Sequence, residues 1–399
     1  MKILIIHHTG VLGGGTISCF DVANALNKNN RKIILSLPLG ENAAQLKAQE
    51  MHISTLNENV MPLVFGYYNG GSNIIKVMIK ALFSLKYRAN WKEIFKQVKP
   101  DLVILNSVVQ WPMISLLNSI NIKNVCFIRE TLRGNPVGII NRIIASSLQK
   151  TSGVAFLSQY DKEQWNLPES VKQTVIPDML DIEKFTEGIN KEDSRKKLKL
   201  KSDVFYVLYV GGMSKLKGAK TIIQAMNYFQ EKNIELLFLG DLGTELMKLN
   251  GLQKGKKHNQ KAFIKEMYSY IEKNNMNNQI HFIGMQKNMN YWYAACDVVV
   301  FPAEKAHQAR PIYEAGAFSK PVIASDFPNY NEYLKSGVNG LLFEPGNYKE
   351  LAQTINNLYK DQTLCTDLGK KNYDLTNSLH NSLNINRKIE QFIEEAIVE

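Results

Sequence analysis

Short apolar runs alternate with segments of helical hydrophobic spacing along the first half of the chain. Continuous runs of aliphatic residues, without polar alternation, are typical of parallel strands that are covered on both faces. The runs predict strands at Lys2–His7, Lys32–Leu37, Leu102–Asn106, Val125–Arg129, Val154–Ser158 and Thr174–Ile176. Helices are predicted between them, for example at Ile17–Lys28 and Trp91–Val98. Repeated strand–helix–strand units of this kind predict a parallel sheet.

The same rhythm starts again after the polar segment Glu187–Ser202. A helix from Ala219 places apolar residues on one face. A basic polar segment, Leu252–Lys261, is predicted to be an exposed loop or the edge of an insertion before a helix at Ala262–Asn274. The further predicted strands are Val204–Val210, Ile234–Leu239, Ile280–Ile283, Val298–Phe301 and Val322–Ala324. The pattern therefore predicts an α/β protein with two doubly wound parallel-sheet domains.

Three segments follow from this pattern: a first domain at 1–183, a second domain at 184–375 and a terminal helix at 376–399. The terminal helix carries an apolar stripe that must pack on another surface, and the first domain is one such surface. The stripe consists of Ile385, Ile389, Phe392, Ile393, Ala396 and Ile397.

Composition narrows the class of protein. The 399 residues are 45% hydrophobic and 21% charged, which is ordinary for a globular chain of two domains. The four cysteines are scattered without a CxxC pair, which favours buried thiols in a reducing compartment. The start of the chain lacks the features of a signal peptide, and no uninterrupted apolar stretch is long enough to span a membrane. We therefore expect a cytoplasmic protein.

The net charge is +11, and much of it lies in the segment Asn73–Pro100. This segment contains seven basic residues and a single acid, Glu93. The basic residues are interleaved with aliphatic and aromatic residues at helical spacing. This pattern favours a helix lying on an anionic membrane surface, on the inner face of the membrane. The alternative is a buried helix with a solvated basic face. No nucleic-acid recognition module accompanies the charge, so nucleic acid is not an expected partner.

The segment Phe301–Asn347 carries the sharpest chemical signal. A predicted strand ends at Phe301, and Pro311 is typical of the first turn of a helix. The free N–H groups at such a helix start attract anions, and Arg310 adds a cation there. Glu314 follows one turn later, where it can accept hydrogen bonds from neighbouring hydroxyl groups of a ligand. The alternative is that Arg310 and Glu314 form an i,i+4 ion pair.

A second turn joins a predicted strand to a predicted helix through Gly211 and Gly212, with Lys217 just before the helix. Glycine allows close approach of the backbone to a ligand, and a lysine can neutralise a phosphate.

The run from Pro302 through Glu314 to Ser325 resembles the signature region of retaining nucleotide-sugar glycosyltransferases of the GT-B architecture. The resemblance implies two Rossmann-like domains that face each other across a cleft, with the active site between them. It implies that the first domain binds the acceptor and the second binds the nucleotide sugar. Glu314 corresponds to the glutamate that binds the donor ribose, and Lys217 matches one of two cations that face the diphosphate.

The resemblance also implies a set of donor-binding and catalytic residues. The catalytic candidates are Lys217, Arg310, Glu314, Arg129 and Glu130. The donor-binding candidates are Gly13, Gly14, Gly15, Gly211, Gly212, Lys217, His307, Gln308, Ala309, Arg310, Pro311 and Glu314. Gly13–Gly15 follow the first strand, where the family has the floor of its cleft, and their spacing does not match a dinucleotide fingerprint.

The chain departs from the family pattern at three places. The first glutamate of the family's pair is replaced by Ala306, and the arginine of the glycine turn is replaced by Gly212. Arg129 and Glu130 stand where the family often has a histidine followed by an acid. An arginine cannot act as a base at neutral pH, so the expected role of Arg129 is binding or charge stabilisation, with Glu130 as its partner or as an acceptor contact.

These features predict a glycosyltransferase that moves a sugar from a nucleotide-diphosphate sugar to a glycan or polyprenyl-linked acceptor, with retention of configuration. Surface polysaccharide biosynthesis is the expected setting. No cofactor and no metal are expected, because cationic side chains and helix N–H groups can stabilise the departing diphosphate. The alternatives are a nucleotide-sugar epimerase of the same architecture and a non-catalytic sugar- or lipid-binding relative.

Overall fold

All strands that the structure describes run parallel to their neighbours, in two separate sheets. The computed structural model describes residues 1–27, 31–38, 42–56, 61–65, 74–132, 138–244, 247 and 256–398. The chain forms two compact units: a first unit, Met1–Met179 with Ser382–Glu399, and a second unit, Leu180–Asn381.

The first unit contains a seven-stranded sheet in the order β3-β2-β1-β4-β5-β6-β7. Its strands are β1 (Lys2–Ile6), β2 (Lys32–Ser36), β3 (Ser54–Thr55), β4 (Leu102–Leu105), β5 (Asn124–Ile128), β6 (Gly153–Phe156) and β7 (Gln173–Val175). Its helices are α1 (Gly14–Leu26), α2 (Ala43–Glu50), α3 (Ile74–Leu85), α4 (Arg88–Val98), α5 (Pro112–Asn118), α6 (Ile139–Leu148), α7 (Gln159–Trp165) and, from the end of the chain, α16 (Ser382–Val398).

The second unit contains a six-stranded sheet in the order β10-β9-β8-β11-β12-β13. Its strands are β8 (Phe205–Val210), β9 (Ile234–Leu239), β10 (Ile280–Gly284), β11 (Val298–Phe301), β12 (Val322–Ser325) and β13 (Leu341–Phe343). Its helices are α8 (Ile182–Thr186), α9 (Lys191–Leu198), α10 (Ala219–Ala225), α11 (Lys256–Lys273), α12 (Met289–Ala295), α13 (Arg310–Ala317), α14 (Tyr348–Lys360) and α15 (Gln362–His380).

The continuous apolar strands are buried as their composition requires. Every residue of β4, β5 and β11 is buried, and layers of apolar side chains cover both faces of each sheet. In both sheets the first strand lies centrally and the chain then turns to the other half of the sheet, which is the doubly wound order. The predicted fold class, two Rossmann-like parallel-sheet domains, is confirmed.

The terminal helix α16 packs on α1, and its apolar stripe is buried in the core of the first unit. The ring of Phe392 lies edge-to-face on Phe127 of β5, with centroids 5.7 Å apart. Gly153 of β6 makes room for this ring, because a Cβ there would lie 2.8 Å from it.

Two details differ from the sequence prediction. Lys256–Lys261, predicted as part of an exposed loop, forms the start of α11, while 252–255 lie outside the described residues. The polar segment before β8 contains α9, which is anchored where Arg195 pairs with the buried carboxylate of Asp297 at 2.7 Å. The four cysteines are free and buried, as predicted.

Candidate active site

The helix α13 begins directly after the loop that follows β11. Arg310 is its first residue and Pro311 its second, as the sequence predicted. Ala309, the residue before the helix, has no side-chain oxygen that could cap the first N–H groups. Pro311 has no N–H group, and the N–H of Ile312 donates to Ala309 O at 3.0 Å, so it is the positive end of the helix dipole that favours an anionic ligand here.

Both carboxylate oxygens of Glu314 are hydrogen-bonded within the second unit. Arg310 Nε donates to Oε1 at 2.7 Å, and the hydroxyl of Tyr293 donates to Oε2 at 2.7 Å. The side chains of Arg310 and Glu314 are 16% and 14% exposed. The i,i+4 ion pair that the spacing allowed is thus present, and both side chains are mostly buried.

The glycine turn after β8 is held against the end of β9. Gly211 and Gly212 donate their N–H groups to Leu239 O at 3.0 and 2.8 Å. Gly212 has φ +62°, and a Cβ there would lie 2.4 Å from Asp241 O. An arginine, which the resembling family has at this position, would clash with that backbone. The local fold of this chain therefore favours glycine at position 212, where the resembling family has arginine.

Two contacts join the glycine turn to the loop before α13. A Cβ on Gly218 would lie 1.7 Å from Pro302 O, so the two backbones are in direct contact. Glu304 N–H donates to Leu216 O at 3.0 Å. Lys217 lies between Leu216 and Gly218 and is exposed, and desolvation by the surrounding protein lowers its pKa. The structure thus brings Lys217 and the loop that leads to Arg310 together.

The loop itself is ordered by side-chain and ring contacts. His307 Nδ1 donates to Lys305 O at 2.8 Å, and its ring lies 5.0 Å from the ring of Phe301. Asn329 Nδ2 donates to His307 O at 3.3 Å. Ala306 and Gln308 are half-buried and flank His307 in this loop.

In the first unit, Gly13–Gly15 form the start of α1, where Gly13 is the residue before the helix. A Cβ on any of the three glycines would meet no described atom within 4 Å. None of the three has a positive φ. Neither packing nor backbone geometry therefore requires glycine here, and the space beside the turn is open.

Asn106, at the end of β4, connects this glycine turn to Arg129. Its Nδ2 donates to Gly15 O at 3.0 Å and to His7 Nδ1 at 3.2 Å, and its Oδ1 accepts from Arg129 Nε at 3.2 Å. The hydroxyl of Thr16 donates its proton to Val11 O and can therefore only accept from His7. His7 Nε2 is thus the donor to Thr16 Oγ1, at 3.0 Å. This arrangement assigns the neutral Nε2–H tautomer to His7.

The side chain of Arg129 pairs with Asp178 rather than with Glu130. Arg129 Nη1 lies 3.4 Å from Asp178 Oδ1, which also accepts from Ser18. Glu130 accepts hydrogen bonds from the hydroxyl of Ser107 and from the N–H groups of Val108 and Arg129. Burial raises the pKa of Glu130, and these donors oppose that rise. The expectation that Glu130 is the side-chain partner of Arg129 is wrong. Ser107 and Val108, which follow β4, donate to the carboxylate oxygens of Glu130 instead.

Three residues of these networks were missed by sequence reasoning: Asn106, Asp178 and Tyr293. Asn106 and Asp178 are polar residues that follow apolar strand runs, a signal that marks the carboxyl edge of a parallel sheet. Tyr293 lies within an apolar helix and carries no such signal.

Among the described residues, no group of three or more histidine, cysteine, aspartate or glutamate side chains is arranged to hold a metal ion. In that same part of the chain, none of the helices has both the length and the apolar character needed to cross a bilayer.

Residues 190–375 match the family model described as glycosyl transferases group 1. This span contains the glycine turn, Lys217, Arg310 and Glu314. Residues 190–375 form a group 1 glycosyltransferase domain. The resemblance read from the segment around Glu314 is thereby confirmed.

Curated relatives agree with this assignment. The chain is 28% identical over 210 residues to the capsular polysaccharide biosynthesis glycosyltransferase CapM of Staphylococcus aureus, covering 51% of this chain and 50% of CapM. It is 26% identical over 228 residues to the UDP-Gal:alpha-D-GlcNAc-diphosphoundecaprenol alpha-1,3-galactosyltransferase of Escherichia coli, covering 56% of this chain and 53% of that protein. The chain thus spans about half the length of the curated relatives it matches.

Solved structures extend the likeness of fold to the whole chain. A crystal structure of Anabaena Alr3699/HepE in complex with UDP and glucose has a TM-score of 0.76 at 19% identity, covering 99% of each chain. WaaG, a glycosyltransferase involved in lipopolysaccharide biosynthesis, has a TM-score of 0.67 at 14% identity, covering 98% of this chain and 99% of that chain. The group 1 domain is therefore part of a GT-B fold.

Proposed function

We propose that the protein is a glycosyltransferase whose second unit binds a nucleotide-diphosphate sugar. Lys217 and the positive end of the α13 dipole bind the diphosphate, Arg310 adds positive charge there, and Glu314 binds the ribose. The observation that carries the proposal is the contact between the glycine turn and the loop before α13, through Gly218 and Pro302. This contact places Lys217 beside the loop that leads to the helix start, within the span that matches the family.

Cleavage of the bond between sugar and diphosphate transfers negative charge to the departing diphosphate. Cations and oriented N–H groups that are already in place stabilise this charge as it develops. Lys217 is exposed, but the surrounding protein already removes part of the water around its ammonium group and so lowers its pKa. Binding a phosphate therefore requires less further desolvation of this group. Catalysis by this arrangement needs no metal ion. In line with the family resemblance, the sugar is transferred with retention of its anomeric configuration.

The acceptor we propose is a glycan or polyprenyl-linked saccharide of surface polysaccharide biosynthesis, bound by the first unit. The names of the relatives from S. aureus and E. coli, one for a capsule and one for a diphosphoundecaprenol substrate, support this class. The open space beside Gly13–Gly15 supports a ligand in the first unit.

The acceptor class fits a second proposal, that α3 and α4 hold the protein on the inner face of an anionic membrane. In α3, Met78, Ile79, Leu82 and Phe83 are between 46% and 66% exposed. Lys86, Lys92 and Lys96, which follow in and before α4, are also exposed. Apolar side chains that reach solvent next to basic ones are typical of a helix on a membrane surface.

The donor proposal is tested by thermal shift with a panel of nucleotide sugars, followed by transfer assays with the sugar that binds. Glu314→Ala and Lys217→Ala are each expected to lower the rate of transfer by about a hundredfold or more while each variant stays folded. Wild-type activity of either variant would remove the proposed site. Product analysis with and without acceptor separates a transferase from an epimerase, and a donor-hydrolysis assay separates it from a non-catalytic binding protein.

The membrane proposal is tested by sedimentation with phosphatidylglycerol vesicles at low salt. The variant Leu82→Glu/Phe83→Glu is expected to stay in the supernatant while the wild type sediments. Leu46→Glu, which changes a leucine of α2 that is 54% exposed, is the matched control and is expected to sediment. A wild-type protein that stays in solution would contradict the proposal.

A further inference from the structure

Tyr293 reaches Glu314 from a different helix, and its position is fixed by burial. It lies in α12 (Met289–Ala295) and is 0% exposed, while its hydroxyl donates to Glu314 Oε2 at 2.7 Å. Its ring lies 6.3 Å from the ring of Phe185. A buried phenol held in this way has few orientations available to its hydroxyl group.

The two donors to Glu314 occupy different oxygens. Arg310 Nε is bonded to Oε1 and Tyr293 to Oε2, both at 2.7 Å. An ionised carboxylate has about four lone-pair sites, two on each oxygen, so each oxygen can accept one further hydrogen bond. One further hydrogen bond on each oxygen matches the number that a pair of neighbouring hydroxyl groups can donate.

We propose that Tyr293 is a positioning residue for donor binding: its hydroxyl fixes the Glu314 carboxylate in the orientation that receives the two ribose hydroxyls of the nucleotide. This inference rests on the proposed function, since it assigns the ribose to Glu314. Arg310, one turn earlier on the same helix, fixes the other oxygen. Without Tyr293 the Glu314 side chain can rotate about its terminal torsion, which has a broad energy profile.

Tyr293 stays protonated at all ordinary pH values. Burial, and then the charge of Glu314, raise the pKa of Tyr293 well above its usual value. The hydroxyl therefore remains a donor to the carboxylate, and Glu314 keeps the same partner across the pH range of an assay.

The test is the variant Tyr293→Phe, which keeps the ring and removes the hydroxyl. Binding of UDP is measured by calorimetry, with 2′,3′-dideoxy-UDP as the comparison ligand. We expect the Kd for UDP to rise about tenfold, since a hydrogen bond to a charged group contributes on that scale. The Kd for the dideoxy compound is expected to stay within about twofold of the wild-type value, because that ligand lacks the hydroxyls that Glu314 binds.

Tyr291→Phe is the matched control. Tyr291 lies on the same helix, and its ring packs under Lys197 at 3.7 Å, a contact that phenylalanine retains. Its Kd for UDP is expected to equal that of the wild type. In a double-mutant cycle, adding Tyr293→Phe to Glu314→Ala is expected to cause no further loss of UDP binding.

Equal UDP binding by the wild type and Tyr293→Phe overturns the positioning role and leaves the proposed function intact. An equal loss for UDP and the dideoxy compound also overturns it, because a general disturbance of the fold would weaken both. If the wild type binds none of UDP, GDP, CDP and ADP, the proposed function fails and the positioning role fails with it. Should Tyr293→Phe not fold, Tyr293→Met, which also lacks the hydroxyl and can fill the space of the ring, provides the same comparison of the two ligands.

Discussion

The backbone of Gly218 touches the carbonyl oxygen of Pro302, at a distance that leaves no room for a Cβ atom between them. Gly218 also has φ +79°, which L-residues with a side chain rarely adopt. These two constraints keep the glycine turn against the loop before α13. Glycine at 218 therefore supports the position of Lys217 beside the loop that leads to α13.

Gly218→Ala is expected to destabilise the second unit, because the added methyl group must push Pro302 away. Gly188→Ala is the matched control: Gly188 has φ +67°, but a Cβ there meets no described atom within 4 Å. We expect Gly188→Ala to cost about 1 kcal/mol from backbone strain alone, and Gly218→Ala to cost at least about 2 kcal/mol more. Urea unfolding followed by circular dichroism measures both, and equal losses would contradict the close approach.

Lys217→Ala is expected to lower kcat/KM for sugar transfer about a hundredfold, since one preplaced cation at the diphosphate is lost. Stability should change little, because Lys217 is exposed. Lys215→Ala removes an exposed lysine two residues earlier and is expected to keep wild-type rates. Steady-state kinetics of the wild type, Lys217→Ala and Lys215→Ala tests this prediction. A comparable loss of kcat/KM in Lys215→Ala would indicate general electrostatic attraction of the donor instead of a specific contact to Lys217.

Acid is expected to destabilise the first unit through His7. Burial lowers the pKa of His7 to about 3, with smaller contributions from the nearby charges of His8 and Arg129. The unfolded chain binds a proton near pH 6.5 but the folded one does not, so this stability is present above pH 6.5 and is lost as the pH falls toward 3. At pH 5 the loss from His7 is about 2 kcal/mol.

The measurement is urea unfolding at pH 7 and pH 5 in a Trp292→Phe background, where Trp91, Trp111 and Trp165 report on the first unit. His7→Gln is expected to reduce the difference between the two pH values, although it also weakens the bonds to Thr16 and Asn106. His258→Gln, at an exposed position of α11, is expected to leave the difference unchanged. If the free energy of unfolding falls as much between pH 7 and pH 5 in His7→Gln as in the parent, His7 is not the source of the acid sensitivity.

The buried pair Arg129–Asp178 is expected to be costly to break from one side. Their side chains are 6% and 11% exposed, so Arg129→Met leaves the carboxylate without its cation in a poorly solvated place. We expect a loss of about 3 kcal/mol in the stability of the first unit. Adding Asp178→Asn should restore part of it, since the unpaired charge is then removed. A double variant no more stable than Arg129→Met would show that the pair is not the source of the loss.

Much of the fold follows from the apolar runs, and the exceptions have clear causes. β3 and β13 have two and three residues, too few for a pattern to emerge. The start of α11 is polar, and a polar, basic segment without apolar periodicity is more typical of a loop than of a helix. Lysine and glutamine are good helix formers, and Gln260 Nε2 donates to Met213 O at 2.6 Å, which holds this turn against the glycine turn.

The candidate site could be predicted where its residues follow one another in the chain. Arg310 and Glu314 are one helical turn apart, so their spacing was sufficient to foresee their contact. Tyr293 lies 21 positions before Glu314, and β11 separates the two in the sequence. Their contact arises from the packing of α12 against α13. Asn106 and Gly15 are 91 positions apart and meet because β1 and β4 are neighbours in the sheet. Contacts of this kind depend on tertiary packing, which local spacing does not encode.

The first unit needs α16, the last helix of the described chain, to complete its core around Phe127 and Gly153. During synthesis, residues 1–179 therefore leave the ribosome without the helix that covers part of their apolar surface. The second unit is contiguous at Leu180–Asn381 and can fold before the first is finished. A chaperone or a protease that acts on the nascent chain would thus meet an unfinished amino-terminal half until translation has passed Ala396.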